Sequence, residues 1–271
     1  MRAVYRWIVD LDGVVYRGQE LLPGARRFFQ AVQGRNEPLV VLTNNSTATV
    51  EQYVSRLAGW GIAVRREQVI TSALAAARWL AQRGMRGPVL AIGEDGLLQA
   101  LQEHGVSYLA DADPLAMPAV QAVVVGLDGQ FTYRKLYAAC LAVRGGAAFV
   151  GTNPDPSLPA EGGRLRPGCG SLLAAIAACS GVSPTVVGKP YPEIMEMALE
   201  RLQATQPESR RQVVVVGDRL DTDMRAAAQL GLRGALVLSG VATRQDLERS
   251  PYRPDFVFAD LGELTDALLS A

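Results

Sequence analysis

The segment from Trp7 to Gly18 constrains the fold of this 271-residue chain more than any other. Its apolar beginning is typical of a parallel strand covered on both faces, because such strands show continuous apolar runs rather than alternation. The run ends in Asp10 and Asp12, which a period of two places on the same side of the chain. Two carboxylates so close repel each other unless a cation or a shared proton lies between them. Gly13 permits a sharp turn, so the segment is either an Asp turn that ends a strand or part of a ligand site.

The composition is that of an ordinary globular protein and argues against several classes of function. Hydrophobic residues make up 49% and charged residues 20% of the sequence, and the formal net charge is zero. A neutral chain gives no indication of a nucleic-acid partner or of binding to a membrane surface. The sequence shows neither a long apolar stretch nor a secretory signal pattern, which predicts a cytoplasmic protein without a membrane span.

The cysteines and the histidine offer little catalytic material. Cys140, Cys169 and Cys179 lack the spacing of a metal site, and we interpret them as buried free thiols in a reducing compartment. The single histidine, His104, ends a helical pattern and is expected at the surface. The chemistry is therefore expected to come from other side chains.

Strand and helix patterns alternate along the chain, which predicts parallel sheets with helices on both faces. A second α/β pattern interrupts the first and contains a long loop over 154–170 that is rich in proline and glycine. The simplest interpretation is a doubly wound core formed by residues 1–86 and 183–271. Residues 87–182 then form an inserted α/β domain.

Two further predicted strands of the core end in groups that suit a phosphate. The strand over 38–43 ends in Thr43-Asn44-Asn45-Ser46, which offers a hydroxyl, two amides and exposed N–H groups ahead of a helix. The strand over 185–189 ends in Gly188-Lys189-Pro190, in a chain whose only other lysine is Lys135. A compact charge at that position suits a phosphoryl oxygen or a carboxylate.

A fourth predicted strand ends in acids. The apolar run Val213–Val216 leads through Gly217 to Asp218, and Asp221 and Asp223 follow just before a helix pattern. Each of these strand ends has a plain alternative: a helix cap, a turn, or acids that complement a helix dipole. Four polar ends on one parallel sheet would together supply oxygen ligands for Mg²⁺, a nucleophile, an acid or base, and phosphate-binding donors.

These motifs, in this order and spacing, resemble those of the haloacid dehalogenase superfamily of phosphatases. They are Asp10-x-Asp12-Gly-Val, Thr43-Asn44-Asn45, Gly188-Lys189-Pro190 and Gly217-Asp218-Arg-Leu-Asp-Thr-Asp223. The long insertion between the second and third motifs resembles the class IIA, NagD-like branch, which includes p-nitrophenyl, phosphoglycolate and pyridoxal phosphatases. The resemblance covers nearly the whole chain and implies a Rossmann-like core with an inserted α/β cap domain of type C2.

The resemblance implies a magnesium-dependent phosphatase with an aspartyl-phosphate intermediate. Asp10 would be the nucleophile, and Asp12 would protonate the leaving group and then activate water. The Asp10 carboxylate, the Asp12 backbone carbonyl and Asp218 would hold Mg²⁺. Gly13 would support this site by allowing the turn that follows Asp12.

The resemblance assigns phosphate binding to the second and third motifs. Thr43 and Asn44, with Asn45 beside them, would hold phosphoryl oxygens. Lys189 would neutralise charge on the phosphate and on the nucleophile. Asp223 would support the site by orienting either the water shell of the metal or Lys189.

Two segments of the insertion imitate the core motifs. Val125–Gly129 repeats the first with a glycine in place of the nucleophile, and Gly151–Asp155 repeats the second without the paired amides. We interpret both as strand ends of the cap. The loop Asn153–Gly170 is expected to select the substrate through its polar residues Asn153, Asp155, Glu161, Arg164 and Arg166.

The expected partner is a small phosphorylated metabolite, whose identity the sequence leaves open. One alternative is a phosphotransferase of the same superfamily that passes the phosphoryl group to a sugar hydroxyl, but the class IIA insertion argues against it. A second alternative is a catalytically silent protein that binds a phosphorylated metabolite, and the intact Asp10 and Asp12 argue against that. Because related caps mediate dimers, a homodimer through the cap is a further expectation.

Overall fold

The structure is a computed structural model that describes residues 4–159 and 165–269. Its strands are β1 (Arg6–Val9), β2 (Tyr16–Arg17), β3 (Glu20–Leu21), β4 (Leu39–Thr43), β5 (Val69–Thr71), β6 (Val89–Ile92), β7 (Tyr108–Leu109), β8 (Ala122–Val125), β9 (Ala148–Gly151), β10 (Ser157–Pro159), β11 (Leu165–Pro167), β12 (Thr185–Val186), β13 (Val213–Gly217), β14 (Arg233–Val237) and β15 (Phe256–Phe258). Its helices are α1 (Ala25–Gly34), α2 (Val50–Gly59), α3 (Ser72–Gln82), α4 (Asp95–Glu103), α5 (Tyr133–Arg144), α6 (Cys169–Ser180), α7 (Pro192–Arg201), α8 (Pro207–Arg210), α9 (Arg225–Leu230), α10 (Arg244–Arg249) and α11 (Leu261–Leu268). A 3₁₀ turn at Arg66–Gln68 and a π-helical turn at Leu220–Met224 complete the elements of these ranges.

The chain divides into two compact units. The first consists of Met1–Thr43, Glu51–Ile70 and Met195–Ala271, and the second consists of Asn44–Val50 and Thr71–Ile194. The domain bounds expected from the sequence stay a prediction.

The first unit is built on a six-stranded sheet with the order β15-β14-β13-β1-β4-β5. The central strand β1 pairs in parallel with β13 and with β4, so that Trp7 lies opposite Val214 on one side and Leu39 on the other. Trp7–Val9 and Val213–Val216 are buried, as expected for parallel strands covered on both faces. The prediction of an α/β fold with a doubly wound parallel sheet is confirmed.

The parallel order of this sheet brings three predicted site residues to one edge. Asp10 follows β1, Thr43 ends β4 and Asp218 follows β13. Because the carboxyl ends of parallel strands meet at the same edge, these residues lie where open α/β sheets place their ligands. Local capping defines the helices around the sheet; for example, the Asp260 side chain accepts hydrogen bonds from the first N–H groups of α11.

The second unit contains a five-stranded sheet with the order β12-β9-β8-β6-β7, in which all pairs are parallel. Side chains of its strands and of α5 and α6 form one buried core. That core includes Leu90, Ile92, Val123, Val125, Ala138, Ala139, Val143, Phe149, Leu173 and Ile176. The segments Val125–Gly129 and Gly151–Asp155 begin at the ends of β8 and β9, which confirms their interpretation as strand ends of this unit.

The strand predicted over 185–189 is wrong in its extent and in its sheet. Only Thr185–Val186 forms a strand, and this strand pairs in parallel with β9, where Thr185 lies opposite Val150. The four polar strand ends therefore do not lie on one sheet. The physical reason is that a short apolar run fits the edge of any parallel sheet, so the pattern leaves its partner strand undetermined.

Two smaller predictions also need correction. The segment predicted as a loop over 154–170 contains β10 and β11, which pair as an antiparallel two-stranded sheet despite their prolines. Cys140 and Cys169 are buried as expected, but Cys179, next to the last residue of α6, is exposed. None of the helices in the described ranges is long and apolar enough to cross a membrane.

Candidate active site

Three carboxylates meet at the edge of the six-stranded sheet. Asp10, Asp218 and Asp223 each offer a carboxylate oxygen, and these oxygens all lie within 4.8 Å of one another. Their residues are 8%, 1% and 1% exposed, respectively. We call these three residues the acidic cluster. Among the described residues, these are the Asp, Glu, His or Cys side chains that lie close enough together to hold a metal ion.

Main-chain geometry positions the acidic cluster. Asp10 continues the pairing of β1, because its N–H donates to the Val216 carbonyl at 2.9 Å. Asp223 lies in the π-helical turn after β13, and its Oδ2 accepts from the Arg219 N–H and from the Thr222 hydroxyl, both at 3.3 Å. A Cβ at Gly217 would lie 2.2 Å from the Asp223 carboxyl carbon, so glycine permits the close approach.

The Asp218 carboxylate packs against Gly13 and Gly240 and accepts from the Val241 N–H, and we call these three groups its glycine seat. A Cβ at Gly13 would lie 2.3 Å from Asp218 Oδ2, and one at Gly240 would lie 1.9 Å from it. The Val241 N–H donates to the same oxygen at 2.8 Å. The Ser239 hydroxyl donates to the Gly13 carbonyl at 2.8 Å, which joins the loop after β14 to the turn after β1.

The sequence reasoning found Gly13 but missed Gly240 and its neighbours. Gly13 has a φ of +81°, which suits its predicted role in a sharp turn, and it also leaves space for Asp218. Gly240 lies three residues after the end of β14, in Leu238-Ser239-Gly240. Nothing local to that segment indicated that it would touch Asp218.

The donor set of the acidic cluster fits a hard divalent cation such as Mg²⁺. Three buried carboxylates within 4.8 Å repel one another, and a cation between them removes that repulsion. Mg²⁺ prefers oxygen ligands and is usually bound through one or two carboxylates, with waters completing its shell. Asp221 lies outside the cluster, because it is exposed and pairs with Arg219 at 3.1 Å.

Asp12 and Thr43, predicted to handle protons and phosphate, lie beside two buried tyrosines. The Asp12 residue is exposed, and its Oδ2 accepts a hydrogen bond of 3.3 Å from the Tyr16 hydroxyl. Thr43 is buried at the end of β4, and its side chain hydrogen-bonds that of Tyr53. Burial raises the pKa of both phenols far above the ordinary value, and the negative charge of Asp12 raises it further.

Lys189 lies in the second unit, where an asparagine side chain holds its main chain. Asn44 Oδ1 accepts from the Lys189 N–H at 2.8 Å, and Asn44 Nδ2 donates to the Lys189 carbonyl at 3.0 Å. The same Nδ2 donates to Asp155 Oδ2 at 3.1 Å, and Asn153 Nδ2 donates to that oxygen at 2.7 Å. We call Asn44, Asp155 and Lys189 the lysine bracket; Lys189 is 3% exposed.

Comparisons with known proteins identify the family. A family model described as haloacid dehalogenase-like hydrolase matches residues 7–107, and a second, HAD-hydrolase-like, matches residues 186–264. The chain is 38% identical over 268 residues to the acid sugar phosphatase of Staphylococcus saprophyticus, and the match covers 99% of each chain. The chain belongs to the haloacid dehalogenase-like hydrolases. This confirms the resemblance seen in the motifs.

Solved structures of this family show the same fold. The 4-nitrophenylphosphatase of Thermotoga maritima is 34% identical, with a TM-score of 0.87 over 98% of each chain. NagD of Escherichia coli K-12 is 33% identical, with a TM-score of 0.83 over 97% of this chain and 98% of NagD. The glycerol phosphate phosphatase of Mycobacterium tuberculosis, solved in complex with magnesium, is 33% identical, with a TM-score of 0.84 over 98% of this chain and 79% of that one.

The family and its named members establish the class of enzyme. This haloacid dehalogenase-like hydrolase is a NagD-like phosphatase that cleaves phosphoric monoesters. Five of its sequence-predicted site residues meet in two groups, and Asp10, Asp218 and Asp223 form the acidic cluster. Asn44 and Lys189 meet in the lysine bracket.

Asn45 and Asp128 have local partners in the second unit. Asn45 Oδ1 accepts from the N–H and the hydroxyl of Thr47, at 3.0 and 2.8 Å, and so forms a turn ahead of α2. Asp128 forms an ion pair of 2.7 Å with Lys135. Arg166 is exposed on β11, whereas Glu161 and Arg164 lie outside the described residues.

Asn153 and Asp155 have contacts that the sequence reasoning did not foresee. We expected both in a substrate-selecting loop, but they are buried and hydrogen-bonded within and beside the lysine bracket. A Cβ at Gly188 would lie 2.3 Å from the Thr152 carbonyl and 2.7 Å from Asn44 Oδ1. Gly188 therefore permits the close approach of the bracket to the end of β9. The hydrogen bond between the Asn44 amide and the Asp155 carboxylate joins residues far apart in the sequence, so no local pattern indicated it.

Proposed function

We propose that this chain is a Mg²⁺-dependent phosphomonoesterase that hydrolyses small phosphate esters through an aspartyl-phosphate on Asp10. The acidic cluster is the observation that carries the proposal, because three buried carboxylates within 4.8 Å call for a cation. The cluster lies beside the ends of the adjacent parallel strands β1 and β13. The phosphatase relative that was solved with magnesium supports this choice of ion.

The residues that would hold Mg²⁺ are the Asp10 and Asp218 carboxylates and the Asp12 backbone carbonyl. Asp223 would order the waters of its shell, in line with its place in the acidic cluster. When bound, the ion would draw negative charge from the phosphoryl oxygens and lower the barrier to attack by a carboxylate. The glycine seat would keep Asp218 aimed at the cluster.

The reaction would proceed in two steps, the formation and the hydrolysis of the aspartyl-phosphate. First, an Asp10 oxygen attacks phosphorus while the ester P–O bond breaks, and the Asp12 carboxylic acid gives its proton to the leaving oxygen. Second, water attacks the phosphorus of the aspartyl-phosphate, gives a proton to the Asp12 carboxylate, and the P–O bond to Asp10 breaks. Inorganic phosphate leaves, and both aspartates return to their starting states.

Phosphate binding would use Thr43, Asn44, Asn45 and Lys189. Because the amide of Asn44 holds the main chain of Lys189, we assign Asn44 a positioning role as well. The Lys189 ammonium would neutralise charge that builds up on the phosphoryl group. A compact point charge serves this purpose without the directional demands of a guanidinium fork.

The proposed substrates are small phosphorylated metabolites. The names of the relatives make sugar phosphates and glycerol phosphate the first esters to test on this chain. Hydrolysis rather than phosphotransfer agrees with those names, and intact Asp10 and Asp12 favour turnover over silent binding. The cytoplasmic location and the homodimer through the cap stay predictions.

The test is a phosphate-release assay with p-nitrophenyl phosphate and sugar phosphates, in Mg²⁺ and then in excess chelator. We expect chelation to abolish activity, Mg²⁺ to restore it, and Asp10→Asn to lower turnover by about 10⁴-fold or more. Asp221→Asn is the matched control, because this exposed aspartate lies outside the acidic cluster. Full activity in excess chelator, or an active Asp10→Asn variant, would overturn the proposal.

A further inference from the structure

Tyr16 is a fully buried tyrosine whose hydroxyl bonds a carboxylate that reaches solvent. Tyr16 is 1% exposed, whereas Asp12 is exposed. The chain turns after Asp12 and brings Tyr16 back beside it. This turn is closed by the Gly13 N–H, which donates to the Tyr16 carbonyl at 2.8 Å. The Tyr16 hydroxyl then donates to Asp12 Oδ2 at 3.3 Å. A buried phenol thus anchors one oxygen of the residue that we assign to proton transfer.

Two side chains of the first unit pack against the Tyr16 ring. Trp60 packs on it with a centroid distance of 5.3 Å and an interplanar angle of 39°. The Arg56 guanidinium lies 5.5 Å from the centroid of the Tyr16 ring and 5.9 Å from that of Tyr53. Because the ring is buried and packed against these neighbours, it has few rotamers available, and its hydroxyl points in a defined direction.

In this pair the Tyr16 hydroxyl is the donor and Asp12 Oδ2 is the acceptor. A protonated phenol offers one O–H, and Asp12 is the acceptor that this hydroxyl has in the structure. Because Oδ2 accepts from the Tyr16 hydroxyl, we assign the proton of the leaving group to the other oxygen, Oδ1.

We propose that Tyr16 is a positioning residue, which orients the Asp12 carboxyl so that Asp12 can protonate the leaving group. This inference rests on the proposed acid–base role of Asp12. A competing explanation is purely structural, in which Asp12 merely satisfies a buried hydroxyl. The two explanations differ in one measurable respect. If Tyr16 positions Asp12, removing its hydroxyl slows the first step more for an ester whose leaving group needs more protonation; if its role is structural, the loss of rate does not depend on the leaving group.

The experiment compares Tyr16→Phe with the parent enzyme in saturating Mg²⁺, on p-nitrophenyl phosphate and on glycerol phosphate. Nitrophenolate leaves readily and needs little protonation, whereas an alkoxide needs a proton as the P–O bond breaks. Single-turnover mixing isolates the first step. We expect alcohol release from glycerol phosphate to slow by about tenfold, the size of one hydrogen bond to a charged group. Nitrophenol release should stay within about twofold of the parent rate.

Tyr53→Phe is the matched control. It removes the hydroxyl of an equally buried tyrosine whose partner is Thr43 rather than Asp12, so it should change both first-step rates by the same factor. The Mg²⁺ concentration for half-maximal activity should be unchanged in Tyr16→Phe, because phenylalanine keeps the ring packing. Equal rate losses on both esters, or no loss on either, would overturn the proposal.

Asp12→Ala separates this proposal from the function on which it rests. If Asp12→Ala shows strong leaving-group dependence and Tyr16→Phe shows none, the positioning role of Tyr16 fails and the acid–base role of Asp12 stands. If Asp12→Ala slows both esters equally, or slows neither, the acid–base assignment itself fails. The expected result is leaving-group dependence in both variants, larger for Asp12→Ala.

Discussion

The acidic cluster of the first unit and the lysine bracket of the second are held together by opposite means. In the cluster, like charges crowd within 4.8 Å, and main-chain N–H groups and glycine surfaces hold them. In the bracket, the neutral side chain of Asn44 holds the main chain of a lysine on both its N–H and its carbonyl. Charge balance therefore governs the cluster, whereas hydrogen-bond geometry governs the bracket.

Among the variants that compare the supports of the two groups, the largest effect is expected at Lys189, the charged residue of the bracket. Lys189→Met should lower turnover by about 10²–10³-fold, because it removes a preorganised charge from the transition state. Lys189→Arg should restore activity only in part, since a planar fork does not replace a point charge. Steady-state kinetics with p-nitrophenyl phosphate measure both variants.

Lys135→Met is the control for this prediction, because Lys135 is the other lysine of the chain and pairs with Asp128. It should leave turnover unchanged. A fully active Lys189→Met enzyme would mean that the bracket merely stabilises a turn.

The next effect tests the crowding of the acidic cluster. Gly240→Ala should raise the Mg²⁺ concentration for half-maximal activity by about 10- to 100-fold, because its Cβ would lie 1.9 Å from Asp218 Oδ2 and displace that carboxylate. Mg²⁺ titration of the activity measures the shift. Gly34→Ala is the control, since a Cβ there meets nothing within 4 Å. An unchanged Mg²⁺ requirement in Gly240→Ala would show that Asp218 does not depend on its glycine seat.

The smallest effect tests how far hydrogen bonds alone support the bracket. Asn44→Ala removes both bonds to the Lys189 main chain and should lower kcat by about tenfold. Asp155→Ala removes only the carboxylate that accepts from Asn44 Nδ2, and it should lower kcat by about threefold. The reverse ranking would show that Asp155 acts on the reaction directly.

Asp128→Asn is the control for the bracket variants, because Asp128 is another buried carboxylate of the second unit and pairs with Lys135. It should lower the melting temperature without changing kcat, since breaking a buried ion pair destabilises the fold. A loss of kcat in this control would mean that instability, rather than the bracket, explains the other two variants.

Sequence reasoning predicted the α/β class and the residues around β1 and β13 because these signals are local. An apolar run followed by an acid defines a strand and its end within about ten residues, as at Val9–Asp10 and Gly217–Asp218. The same reasoning failed for Thr185–Val186, because the choice of partner strand depends on residues far along the chain. It also did not foresee that Asp155 accepts from Asn44 and Asn153, since a sequence pattern does not show which long-range partner a carboxylate will meet.

The sequence by itself determined the family, the order of the motifs and the strands that precede the first, second and fourth of them, because strand periodicity and strand-end polar residues are read from consecutive positions. Only the tertiary structure decided that Gly240 makes room for Asp218, that Asn44 turns its amide to the Lys189 main chain, and that the Tyr16 hydroxyl meets Asp12. The physical reason is that close packing and hydrogen bonding act over a few ångströms of space. Residues as far apart in sequence as Asn44 and Lys189 are separated by so short a distance only once the chain has folded.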